Sequence, residues 1–349
     1  MTSSLRTLLG VELPILQAPM AGAQGSALAV AVGQAGGLGA LPCAMLAADA
    51  VRAEVAAIRA GLGDKPFNLN FFCHQPPAPD AAREAQWRQA LAPYYREYGI
   101  DPASIAAGPG RNPFTAEAAR LVAELRPAVV SFHFGLPAPE LLASVHATGA
   151  RVLSSATTLE EGLWLQAHGA DAVIAQGLEA GGHRGHFLSD DLTRQLGTLA
   201  LARQLARALR VPVIAAGGIA DAPGVAAALA LGAAGVQVGS AYLLCPEANI
   251  SAVHRAALAS PACRHTALTT LYSGRPARGI VNRLMRELGP LAAVAPPFPL
   301  AGGAVAPLRA KAEAAGSGDF SSLWAGQNAY GCRALPAAEL TRELARGLG

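Results

Sequence analysis

Pro212-Val213-Ile214-Ala215-Ala216-Gly217-Gly218-Ile219 is followed, one helical segment later, by Gly235-Val236-Gln237-Val238-Gly239-Ser240-Ala241. Each stretch is a nearly unbroken apolar run that ends in small residues and leads into a further turn or helix. Such a run lacks the alternation of a half-exposed strand and fits a parallel strand buried on both faces. Glycine at its end lets the backbone approach a bound group closely, and the free N–H groups at the next helix start point toward an anion. In closed barrels of eight βα units, the loops after strands seven and eight are the usual phosphate site. A single glycine-rich βα turn has an ordinary structural explanation. Two at neighbouring strand ends point to phosphate binding at Gly217, Gly218, Gly239 and Ser240.

The same pattern recurs upstream. Apolar runs predict strands at Leu13–Ala18, Gly39–Leu41, Phe67–Phe72, Val129–Phe134, Arg151–Ser155 and Ala172–Ala175, which with Pro212–Ala216 and Gly235–Val238 make eight. Helical periodicity predicts helices at Ala47–Ala60, Thr115–Leu125, Pro139–Thr148, Leu159–His168, Leu192–Leu209 and Ala222–Leu231. Eight βα repeats in this span match a (β/α)8 TIM barrel, whose length is typically about 250 residues; a doubly wound open sheet is the alternative. The expected organisation is a barrel over residues 1–244 and a helical C-terminal cap over 245–349. Residues 75–112, carrying Trp87, Tyr94, Tyr95 and Tyr98, form an insertion after the third strand. It is expected above the strand ends as a partial lid.

Composition narrows the function. The chain is 52% hydrophobic and 15% charged, which excludes disorder. A net charge of +3 without a Lys/Arg block argues against a nucleic-acid partner. Leu13–Ala48 is uncharged but broken by Pro14, Pro19, Pro42 and many glycines, so no membrane span is expected. Five scattered cysteines without a C-x-x-C pair fit a reducing, cytoplasmic setting.

Further polar residues fall at strand ends. Gln176 opens the glycine-rich loop Gln176–His186, which contains Gly181, Gly182 and His183. Such a loop can lie flat against a planar ligand with His183 beside it; a solvated histidine on a mobile loop is the other reading. His133 is expected near the barrel mouth, as ligand contact or as hydrogen-bonded scaffold. Asn70 could meet a ligand or satisfy a turn, and Ala18-Pro19-Met20 could pack under a flat ring or form a buried turn. No metal site is expected, since His183 and His186 are not at helical spacing and have no carboxylate or cysteine at ligand distance. Glu160 and Glu161 read as a solvated helix start.

QAPMAG (17–22), AGGLGAL (35–41), FNLNFF (67–72), SFHFGLP (131–137), QGLEAGGHRG (176–185), PVIAAGGI, GVQVGS, YSGRPARGIVNRLM (272–285) and WAGQN (324–328) occur in one order. In this the chain resembles the nitronate monooxygenases, class I branch, from about Leu13 to Asn328. The resemblance implies a barrel binding FMN non-covalently through Asn70, Gln176, Gly181, Gly218 and Gln237, Val238, Gly239 and Ser240. It makes His183 the active-site histidine. It implies oxidation of an anionic alkyl nitronate, of the propionate 3-nitronate kind, by O2 to a carbonyl compound and nitrite, in a monomer or homodimer. His183 would then bond a nitro oxygen of a nitronate, or act as general base on a neutral nitroalkane. Members acting on propionate 3-nitronate often carry tyrosines and a lysine late in the pocket, whereas Pro296 to Arg309 holds neither. Arg275 and Arg278 could attract the anionic substrate or tie cap to barrel.

Two other classes compete. An NAD(P)H-dependent flavin reductase of quinones or enoyl thioesters could use the same barrel. A flavin-free sugar-phosphate enzyme would call for a Lys or Glu at a strand end, but the only lysines are Lys65 and Lys311.

Overall fold

The computed structural model describes residues 4–105 and 111–349. Its strands are β1 (Ile15–Gln17), β2 (Gly39–Pro42), β3 (Phe67–Phe72), β4 (Val129–His133), β5 (Arg151–Ala156), β6 (Ala172–Gln176), β7 (Gly182–His183), β8 (Val213–Ala216), β9 (Gly235–Val238), β10 (Thr266–Thr269) and β11 (Ala277–Ile280). Eight of them run in parallel in the order β1-β9-β8-β6-β5-β4-β3-β2. The ring closes between its ends through a parallel bridge from Leu16 to Leu38, with Leu38 N–H donating to the Ile15 carbonyl and Gln17 N–H to the Leu38 carbonyl, both at 2.9 Å. The fold is a (β/α)8 barrel.

Burial explains the apolar runs. Every residue of β2, β3, β6 and β8 is buried, because helices cover the outside and side chains fill the inside. Leu5 and Leu9, on the short helix Leu5–Leu9, pack with Leu16, Leu38, Leu153, Ile174 and Ile214. They plug the N-terminal end of the barrel, and the cavity lies where the strands finish.

One barrel helix comes from an unexpected place. Ala337–Ala345, grouped in sequence with the cap, buries Ala337, Leu340 and Leu344 among Ile15, Leu28, Val225 and Val236. It fills the gap between the helix after β1 (Ser26–Gln34) and the helix after β8 (Ala222–Ala230). Tyr242 and Thr341 hydrogen-bond at 2.8 Å to pin it.

The insertion is not a loose lid. Its helix Ala81–Glu97 buries Trp87, Leu91, Tyr94 and Tyr95 against the cap helix Ala301–Ala314. Trp87 Nε1 donates to the Ala301 carbonyl at 3.0 Å and the Tyr95 hydroxyl to that of Ala304 at 2.7 Å. Large aromatic area and satisfied polar tips bind insertion and cap into one layer. A small antiparallel sheet, β10-β11-β7, joins that layer to the barrel, with Ala277 opposite His183 and Arg278 opposite Gly182. Among the described residues, no helix is long and apolar enough to cross a membrane.

Candidate active site

The strand ends and the cap enclose a cavity of about 570 Å³, within the usual range for a site that takes a whole cofactor. His183 lines it. Four aromatic rings surround the imidazole: Phe298 at 5.3 Å, Trp324 at 5.5 Å, Phe134 at 6.2 Å and Phe72 at 6.5 Å between centroids. Burial in this apolar collar holds its pKa well below 6.5, and the positive charge of Arg111 adds to the effect. The ring is therefore neutral.

The loop carrying His183 is held from below. Gln176 receives the Gly185 N–H at 2.7 Å and donates to the His183 carbonyl at 2.9 Å. His133 Nε2 lies 3.2 Å from the same carbonyl; a carbonyl only accepts, so His133 carries its proton on Nε2. Its Nδ1 then accepts from the Ser155 hydroxyl at 3.0 Å. Arg184, fully buried, donates to the carbonyls of Gln176 and Gly177 and to Gln195 at 2.6–2.8 Å. Glu161 is buried too, and its carboxylate accepts from the Phe187 N–H at 2.6 Å and from Thr157. That corrects the solvated helix start expected for it: the sequence shows the helix turn but not the loop that folds back over it.

Beside that loop, after the neighbouring strand β8, Gly217 and Gly218 sit at φ 124° and 71°, conformations that favour glycine. A Cβ on Gly217 would stand 2.7 Å from Thr198 Oγ1 and 2.9 Å from the Ala180 nitrogen. Gly239 and Ser240 line the same end, and the segment Trp324–Asn328 closes it: Ser240 Oγ accepts from Gly326 N–H at 2.8 Å and Asn328 donates to the Gly218 carbonyl at 2.9 Å.

A family model described as nitronate monooxygenase matches residues 2–347. The chain belongs to the nitronate monooxygenase family. A nitronate monooxygenase of Pseudomonas aeruginosa is 46% identical over 357 residues, spanning 100% of this chain and 99% of the relative. Among solved structures, a nitroalkane oxidase from Streptomyces ansochromogenes superposes with a TM-score of 0.89 at 39% identity, covering 99% of this chain and 98% of the other. FabK from Thermotoga maritima gives 0.72 at 26% identity, with 99% and 95% covered.

In this member of the nitronate monooxygenase family, the residues anticipated at the site mostly converge. Ala18, Pro19 and Met20 after β1, Asn70 on β3, His133 on β4, Gln176 on β6, and Gly181, Gly182 and His183 all line the cavity, as do Gly217, Gly218, Gln237, Gly239 and Ser240. Val238 does not. Strand side chains alternate, and with Gln237 inward Val238 points out into the core between barrel and helices.

Arg275 is also absent from the cavity lining. Its guanidinium lies 4.3 Å over the Phe134 ring and donates to the His186 carbonyl. Phe134 itself is held at φ 70°, rare for a bulky residue. Arg278 donates to the Leu178 carbonyl at 2.8 Å and reaches Thr266 in the cap. Both arginines tie cap to barrel. The cations that do line the cavity are Arg111 and Arg309, which sequence reasoning passed over. Neither lies at a strand end, and only the joining of insertion and cap brings them to the mouth.

The buried histidines make stability pH-dependent. Burial pushes His133 and His186 down to about 3 and His254 to about 4, from an ordinary 6.5. Between those values the unfolded chain binds protons that the fold refuses, so stability falls as pH drops below about 6.5, by about 1.4 kcal/mol per unit for each histidine. The urea midpoint is expected to be level from pH 7 to 8 and to fall steeply toward pH 4. His186→Gln should flatten the fall, and a midpoint unchanged down to pH 4 would contradict the assignment.

Proposed function

We propose that this chain oxidises alkyl nitronates, and the neutral nitroalkanes that give rise to them, to carbonyl compounds and nitrite, with FMN in the cavity and O2 as second substrate. The observation that carries the reading is a neutral imidazole, His183, collared by aromatic rings in the same cavity as a glycine cradle.

The residues suit FMN. The cradle at Gly217, Gly218, Gly239 and Ser240 offers neutral N–H and hydroxyl donors fit for a phosphate, and a side chain at Gly217 would press on Thr198 and Ala180 and distort it. Gly182, at φ 72°, has nothing within 4 Å of a Cβ position, leaving room for a flat ring against the loop. Asn70, Gln176 and Gln237 would meet the ring's polar edge, and Ala18–Met20 its face. FMN, when bound, supplies the electron acceptance that no side chain here provides.

The chain's own groups do the rest. Arg111 and Arg309 draw an anion to the mouth. Phe72, Phe134, Phe298 and Trp324 exclude water from the reacting end, which strengthens each polar contact there. His183 takes the proton when the substrate arrives as a neutral nitroalkane.

The test is an aerobic assay of the yellow holoprotein with ethyl nitronate and with propionate 3-nitronate, following oxygen uptake and nitrite together. Oxygen uptake without nitrite would reject the reading. Fast flavin bleaching on anaerobic mixing with NADPH would support the flavin reductase instead. Gly217→Ala tests the cradle: backbone strain of about 1–3 kcal/mol should weaken FMN binding by about tenfold or more, measured by fluorescence titration of the apoprotein.

A further inference from the structure

We infer that Ser273, a residue of the cap, is the positioning residue that fixes the proton of His183 on Nε2 and leaves Nδ1 as the basic nitrogen facing the cavity. The kinetic consequence rests on the function proposed above; the position of the proton does not.

Counting hydrogen bonds at the Ser273 hydroxyl decides the matter. A serine hydroxyl has one proton to give and two lone pairs to fill. Ser273 is 1% exposed, and water does not complete the count. Oγ stands 3.2 Å from the Arg275 carbonyl, 3.4 Å from the Arg275 N–H and 2.9 Å from His183 Nε2. The carbonyl can only accept, so it takes the hydroxyl proton. The backbone N–H can only donate, so it takes one lone pair. The remaining lone pair faces Nε2, which must carry the hydrogen. With Nε2 engaged by the cap, Nδ1 is the nitrogen left to the cavity that His183 lines.

The turn bearing Ser273 has little freedom. Gly274 sits at φ 85°, and a Cβ there would come within 2.0 Å of the Pro296 carbonyl oxygen. A few residues on, Ala277 pairs with His183 across the β11–β7 ladder. Hydroxyl and imidazole are thus set by the same strand pair.

Removing the hydroxyl has a directional outcome. The aromatic collar has no oxygen to receive an Nε2–H, so in Ser273→Ala the proton is better placed on Nδ1, where the cavity can solvate it. The base becomes a donor. The groups whose charge acts most on His183 are Arg111, His133, Arg275 and His74, none of them a carboxylate; Glu313, which also lines the cavity, accepts from the Ser321 hydroxyl at 2.6 Å.

The experiment combines 15N spectra of histidine-labelled holoprotein, with the His183 signals assigned by their loss in His183→Asn, and steady-state kinetics on nitroethane and ethyl nitronate. Wild type should show the Nε2–H form, S273A a shift toward Nδ1–H, and S273T the wild-type pattern. For S273A, kcat on nitroethane should fall about 10- to 100-fold, the usual cost of losing an orienting partner, with KM within about threefold. Ethyl nitronate turnover should fall at least about tenfold less, and the acidic limb of the nitroethane pH profile, where the base is protonated, should move. S273T should recover most of the nitroethane rate.

A wild-type proton on Nδ1 overturns the inference without any variant. So does an unchanged tautomer in S273A, or equal losses on both substrates. If the holoprotein turns over neither substrate, the proposed function fails, while the spectra still decide the role of Ser273.

Discussion

His183→Asn is expected to lower turnover of nitroethane by about 10²–10⁴-fold, the usual contribution of a positioned general base, while ethyl nitronate loses less than about tenfold. The difference follows from what each substrate still needs. Nitroethane must give up a carbon-bound proton, and His183 is a neutral imidazole lining the cavity, with a nitrogen free to receive it. Ethyl nitronate arrives already deprotonated, so it needs only placement in the aromatic collar and attraction by Arg111 and Arg309. Asparagine keeps a polar group of similar reach but cannot accept a proton at neutral pH. Stopped-flow reduction of the flavin under anaerobic conditions reads both rates directly. Equal losses on the two substrates would remove proton abstraction from the role of His183.

Arg184→Ala is expected to cost about 3–5 kcal/mol of stability, because it strips a charged donor from a buried network and leaves its acceptors unmet. The guanidinium satisfies two backbone carbonyls of the His183 loop and the Gln195 side chain at once. Burial pushes its pKa down to about 10, still high enough to stay charged. Arg184→Lys should rescue little, since an ammonium lacks the planar fork that reaches three acceptors. Urea unfolding of the holoprotein gives the number. A loss under about 1 kcal/mol would mean that the loop is held by Gln176 and Glu161 without it.

Strand positions were almost fully legible in the sequence, because strands buried on both faces leave continuous apolar runs that turn residues cut cleanly. Phe67–Phe72 and Gly235–Val238 match to the residue. Helices were less legible. Ser26–Gln34 is small and apolar all round, so it shows no polar face, and Ala81–Glu97 contains Pro93. The predicted Leu192–Leu209 helix divides into a short 3-10 turn, Leu192–Arg194, and Thr198–Ala208, with Gly197 at the start of the second.

The site divides along the same line. Residues at strand ends could be found because strand periodicity fixes which way they face, Val238 being the exception that this periodicity should have excluded. Arg111, Arg309, Trp324 and Ser273 could not be found that way. The first three reach the cavity, and Ser273 reaches His183, through contacts between segments far apart in sequence, and no local pattern records such contacts.

The helix Ala337–Ala345 carries a consequence for biosynthesis. A ribosome makes it after every strand and after the whole cap, yet it is one of the staves of the barrel wall. Until it emerges, Ile15, Leu28 and Val225 have no partner on that side. The nascent protein is therefore expected to hold an open, sticky seam until this helix has followed the cap out of the ribosome, a natural place for a chaperone to bind.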